Sequence, residues 1–209
     1  MKKLVGILLS FIFIFSLSAC KGNPVAGDVG TIVKFGAYEQ DNDLNNGKEE
    51  IEWIILAKEG DKSLIISKQI IDAKAYNNER EAVIWETSSL RAWLNSTFLY
   101  DAFSASEQDK IILTSVKNEV DTEDKIFLLS SDEAEEYFSS AKLRQTSSTA
   151  YAQAKGVKVY DGFSGWWLRT RGDGRDQARY VFTDGKVHDR GDYVNASYIG
   201  VRPALWVNL

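Results

Sequence analysis

Apolar side chains alternate with polar ones towards both ends of this chain and recur at helical spacing only in its middle, and that order limits the fold more than any other feature. Strand patterns come first, at Gly30 to Tyr38, Glu52 to Ala57 and Ser63 to Ser67. Leu90, Trp93, Leu94 and Phe98 then follow helical periodicity, with Thr87 or Ser88 placed to cap the start. Ser104 and Glu107 have capping-box spacing ahead of Ile111 and Ile112, and Ser130 and Glu133 repeat it ahead of Ala134, Tyr137 and Phe138. Between these helices Lys125 to Leu129 reads as a short strand, and Ala150 to Lys155 as one or two helical turns in a polar connection. Strand patterns return from Trp166 to Leu209. Strands, helices, then strands again predicts an α+β fold, a mixed, mostly antiparallel sheet with two or three flanking helices. Early strands must then pair with late ones.

The turn signals agree. Gln40 to Lys48 holds Asn46-Gly47 and joins a hairpin, Glu59 to Lys62 is a tighter link, and Asp184-Gly185 separates Ala178 to Thr183 from Lys186 to Asp189. Leu64, Ile65 and Ile66 form a continuous apolar run, suited to a strand covered on both faces. Trp166 and Trp167 are neighbours, so on a strand they point to opposite faces, which predicts one in the core and one exposed. Pro203 cannot donate to a ladder, which predicts an edge strand or a bulge within Val201 to Leu209. Arg169 and Arg202 each adjoin an apolar run and, if buried, need carboxylate partners.

The N-terminus carries Lys2 and Lys3, an apolar stretch from Leu4 to Leu17, and then Ser18-Ala19-Cys20. This is the layout of a secretory leader with a small-residue cleavage site. Leu17-Ser18-Ala19-Cys20 resembles the bacterial lipobox, which implies a signal peptide over residues 1–19, lipidation of Cys20 and a tether to residue 27. The expected location is the extracytoplasmic face of the cell membrane or of an outer membrane, with attachment through acyl chains. Removing residues 1–19 takes away two lysines and no acids, leaving 23 basic against 30 acidic side chains, about −7. An acidic domain is a poor match for nucleic acid, whose phosphates reward a basic face. Cys20 is the only cysteine, so the domain over residues 28–209 folds without a disulfide and has no thiol chemistry. Its six Trp, nine Tyr and seven Phe supply the core instead.

Five stretches together resemble a known bacterial family: Val33 to Gln40, Ile51-Glu52-Trp53, Leu90 to Asn95, Trp166-Trp167-Leu168-Arg169, and Val201-Arg202-Pro203-Ala204-Leu205. It is a domain of unknown function found in lipoproteins and surface proteins, and the resemblance runs from about Gly27 to Leu209. It implies a fold similar to the C-type-lectin-like domain, shared with formylglycine-generating enzymes, in which the first and last strands pair and late loops form the ligand face. Two departures limit the carry-over. The Pro-containing triplets of calcium-dependent lectins are missing, and no cysteine is available for formylglycine chemistry.

Candidate chemistry is sparse. His188, the only histidine, sits beside Asp189, but adjacent residues on a strand face opposite ways, so a surface or hydrogen-bonding role is the better account than a triad. Asp132-Glu133 and Glu135-Glu136 fall in the first turns of a helix, where acids suit the dipole and a solvated face. Asp41, Asp43, Asn45 and Glu52 imitate a calcium loop, but the glycine is one place late and no helices flank it, so an acidic hairpin tip is the better account. No metal or other cofactor is expected. The polar segment between Arg169 and Ile199 reads as loops rich in Tyr, Arg and Asn, the residues of adaptable binding surfaces. Its candidate ligand-binding residues are Arg171, Asp173, Arg175, Tyr180, His188, Asp192, Tyr193 and Asn195. The function expected is a lipid-anchored recognition module for a protein, peptidoglycan or glycan. The alternatives are an envelope hydrolase acting on glycan or peptidoglycan, and a structural envelope lipoprotein.

Overall fold

The computed structural model describes residues 27–209, so the leader, Cys20 and most of the tether lie outside the described residues. In chain order the strands are β1 (Ile32–Tyr38), β2 (Glu49–Glu59), β3 (Lys62–Ser67), β4 (Asp72–Ala73), β5 (Thr114–Val116), β6 (Thr122–Asp124), β7 (Val159–Tyr160), β8 (Phe163–Ser164), β9 (Trp166–Arg171), β10 (Gln177–Val181), β11 (Val187–Tyr193), β12 (Gly200–Val201) and β13 (Ala204–Asn208). The helices are α1 (Ser89–Trp93), continued through a wide turn into α2 (Leu99–Ala102), then α3 (Ala105–Gln108), α4 (Ser131–Tyr137), α5 (Ala141–Arg144) and α6 (Ala150–Ala154). The class is mixed helix and sheet with mostly antiparallel pairing, as the periodicities predict.

Two sheets carry the fold. The first has the order β1-β2-β3-β13 and the second β11-β10-β9-β12-β4, with β12 parallel to β9 and the other pairs antiparallel. The β1–β2 hairpin turns through Asn42 and Gly47, both with positive φ. Leu64, Ile65 and Ile66 are buried at 2% exposure or less, as a strand between two neighbours and covered on both faces must be. β1 and β13 form opposite edges of the first sheet, so the first and last strands do not pair as the lectin-like resemblance implies.

Several expectations need correction. The strand after Pro203, β13, is an edge strand of the first sheet as expected, but the segment is split at Pro203, with β12 inside the second sheet. A residue without an N–H marks the point where the chain leaves one ladder for another. Trp166 and Trp167 are both fully buried, because the second sheet is covered on both faces. Trp167 packs against Tyr76 and Tyr180, while Trp166 faces the Arg202 guanidinium and donates from Nε1 to the Arg144 carbonyl. Ile111 and Ile112 do not extend the helix that begins after Ser104; Ile112 donates to the Trp206 carbonyl instead, satisfying the outer edge of β13. Lys125 to Leu129 returns to the sheets but belongs to neither as a regular strand. Phe127 exchanges two backbone hydrogen bonds with Ala204, and Leu129 accepts one from Arg169, so this segment laces the two sheets together.

The two buried arginines resolve differently. Arg169 meets Glu133 through both terminal nitrogens, one at 2.6 Å, and Glu133 also caps α4 by accepting from the Ser130 N–H at 3.0 Å. Arg202 finds no carboxylate among the described residues. Its Nε donates to the Ser67 carbonyl at 2.9 Å, and the guanidinium lies about 5 Å from the Trp166 and Phe138 ring centres. Burial pushes it down to about 9, still above neutral, so it remains charged at pH 7.

Candidate functional site

The segment read as loops is mostly strand: β9, β10 and β11 occupy much of residues 166 to 193. Its connections are short and tied back. The Gly174 N–H donates to Gln177 Oε1 at 2.8 Å, and the Asp173 N–H to the Arg190 carbonyl at 3.1 Å. Strand β11 runs past Asp189 to Tyr193 by bulging at Gly191, whose φ is +75° and whose missing Cβ would meet the Ala178 carbonyl at 2.4 Å. Polar composition disguised these strands because their outer residues alternate with Gly and Asp that serve the bulge and turns.

The candidate residues fall into three groups. Arg171 and Arg175 border a recess of about 310 Å³ beside Ile84 and Thr87, and Arg171 also lines a neighbouring cleft of about 530 Å³ floored by Arg169 and Glu133. Arg171 reaches Glu119 at 3.3 Å, so charges in the larger cleft are largely paired, and Asp173 is exposed beside it. Tyr193 lies under the Arg80 guanidinium at 3.4 Å, and Asn195 is exposed two residues on. The third group is Tyr180, His188 and Asp192.

This third group forms the best-built site. Tyr180 is the floor of a recess of about 220 Å³ whose walls are Tyr160, Phe182, Tyr198, Lys158 and Asp192. His188 stacks on Tyr180 with ring centres 5.0 Å apart, and Phe182 meets the same ring edge-on at 6.3 Å. Asp192 accepts from the Tyr198 hydroxyl at 2.5 Å and from the Tyr193 N–H at 2.7 Å. The Lys158 ammonium sits 4.1 Å from the Tyr198 ring centre. The hydrogen bond to Asp192 raises the Tyr198 phenol above its usual range, and burial does the same for Tyr180, so both rings present intact hydroxyls at neutral pH. Tyr160, at 54% exposure, and Phe182, at 43%, leave flat apolar surface open to solvent in a chain that buries most of its aromatics.

Sequence reasoning missed Lys158, Tyr160 and Phe182. The signal was present in Asp161-Gly162, whose positive-φ turn closes the β7–β8 hairpin and holds Tyr160 opposite Phe163.

A family described as a domain of unknown function, DUF6273, matches residues 60–209. The chain belongs to this family. The DUF6273 match starts after β2, so the Val33 to Gln40 and Ile51-Glu52-Trp53 stretches lie outside it, whereas every candidate residue of the second sheet lies inside. No curated protein matches the chain, and no solved structure does.

Proposed function

We propose that this DUF6273 protein is a lipid-anchored, extracytoplasmic recognition module that binds a cell-envelope glycan at the Tyr180 recess. The observation that carries the reading is the recess itself: the exposed rings of Tyr160, Phe182 and Tyr198 share it with the Asp192 carboxylate, the Lys158 ammonium and the Tyr180 phenol. A sugar ring is amphipathic, with C–H faces that pack on aromatic planes and hydroxyls that need nearby donors and acceptors. At about 220 Å³ the recess falls below the roughly 300–1,000 Å³ of a drug-sized pocket, which suits one ring of a longer chain lying across the surface. The lipobox at Cys20 supports placement at the envelope, and no helix among the described residues is long and apolar enough to cross a membrane.

The test is a glycan and peptidoglycan array probed with the full chain, with and without calcium. Tyr160→Ala and Phe182→Ala are expected to weaken capture at least tenfold while leaving thermal unfolding unchanged, since both rings are largely exposed. Capture that survives both changes but is lost in Arg175→Ala moves the site to the arginine recess. Turnover of a bound glycan that vanishes in His188→Ala converts the module into an enzyme.

A further inference from the structure

The hairpin between β1 and β2 gathers three carboxylates, of which the calcium-loop spacing of the sequence selects Asp41 but not Glu39 or Glu49. Glu52, the last residue of that spacing, points elsewhere and pairs with Lys68 at 2.7 Å. Glu39, Asp41 and Glu49 converge instead, with one carboxylate oxygen from each lying within 4.8 Å of the others. Three charges at that distance repel unless something positive lies between them. Among the described residues none of the three forms an ion pair: the nearby lysines, Lys34 and Lys48, are held by Glu50 and Asp101.

The neutral donors present are shared unevenly. Asp41 accepts from the Asp43 N–H and the Asn46 amide, each at 2.7 Å, and Glu49 accepts from the Gln40 N–H at 2.7 Å and the Asp41 N–H at 3.4 Å. Glu39 is the exception. It is 7% exposed, and its Oε1 is buried without a hydrogen-bond partner. A buried carboxylate oxygen without a partner, on a side chain that converges with two further carboxylates, is costly unless a cation joins them.

We propose that Glu39, Asp41 and Glu49 form a calcium site. Calcium takes oxygen ligands at about 2.3–2.6 Å, so two oxygens on one ion sit up to about 5 Å apart, which the observed spacing allows. The ion supplies Glu39 Oε1 with its missing partner and neutralises the cluster, while water completes the shell on the exposed side of Asp41. Calcium is favoured over magnesium because a hairpin loop offers irregular geometry, which calcium tolerates and magnesium does not. The open setting places the affinity with extracellular modules, at about 0.1–1 mM. The site lies outside the DUF6273 match and away from the Tyr180 recess, so it stands or falls independently of glycan binding.

The experiment is thermal unfolding and isothermal titration of the chelator-treated full chain with CaCl2, against NaCl at matched ionic strength. Binding is expected at sub-millimolar to millimolar calcium, with a rise in Tm of about 3–6 °C at ten times Kd. Glu39→Gln and Asp41→Asn are expected to abolish both signals, and Asp43→Asn, outside the cluster, to retain them. Asp41 is exposed, so its variant keeps the test intact should Glu39→Gln disturb folding. A flat titration of the native chain overturns the site, as does a calcium response that persists in Asp41→Asn; the first result would leave a proton shared within the cluster as the explanation of its geometry.

Discussion

Arg169 and Arg202 show how the same residue type in the same sequence setting reaches two electrostatic solutions. The apolar runs beside them announced burial, and both are buried. The partner was not legible. Glu133 reads as one acid among four in a solvated helix turn, yet it closes its own cap and neutralises Arg169 across 36 positions of chain. Replacing it by Gln keeps an oxygen for the Ser130 N–H but leaves the guanidinium, 2% exposed, without its counter-charge. Glu133→Gln is expected to cost about 2–4 kcal/mol, less than a fully buried pair because the Glu133 side chain is 29% exposed. Urea denaturation should show a lower midpoint at unchanged m-value. Arg202 needed no carboxylate because carbonyls and two aromatic faces surround it, a solution that local sequence does not encode. The residues of the candidate site divide in the same way: Tyr180, its stacking neighbour His188 and Asp192 stood out as chemically capable, whereas Tyr160 and Phe182 line the recess only because two hairpins meet.

Among the elements, local signals served best where the structure is local. The β1–β2, β2–β3 and β10–β11 hairpins follow their turn residues, and the capping boxes mark where α3 and α4 begin. What the caps did not reveal is how soon each helix stops: α3 is one turn, because the chain is drawn off to bond β13. Glu107 gives that short element its hold on the first sheet. Its carboxylate accepts from the Gly36 N–H at 3.0 Å and from the Ser104 N–H at 2.8 Å and hydroxyl at 2.7 Å. Burial works to raise the carboxyl, but these hydrogen bonds outweigh it and hold it below its ordinary value of 4.5. A carboxyl depressed in the folded state stabilises fully above its unfolded value and loses that contribution as pH falls through the folded one. Native protein should therefore lose more stability between about pH 5 and pH 3 than Glu107→Gln does, measured as the difference of their urea midpoints. Parallel loss in both proteins would remove Glu107 from the acid response.

For the whole molecule, the order of periodicities was enough to require that early and late strands meet, and they do: β13 lies on β3, and β12 lies between β4 and β9. The division into two sheets was not legible, because Pro203 limits hydrogen bonding without saying where the freed strand goes. Removing residues 204–209 is expected to abolish cooperative unfolding of the entire domain, because it strips β3 and leaves Ile112 and Phe127 without backbone partners. A truncated chain that keeps a sharp thermal transition by circular dichroism would show the second sheet to be self-sufficient. The split strand also bears on biogenesis. Its partners at Ile112, Phe127, β3, β4 and β9 all precede it, so a growing polypeptide emerges with both ladders unfinished; the second waits for β12 and the first for β13. Vectorial synthesis thus leaves neither sheet complete until the strands on either side of Pro203 have been made.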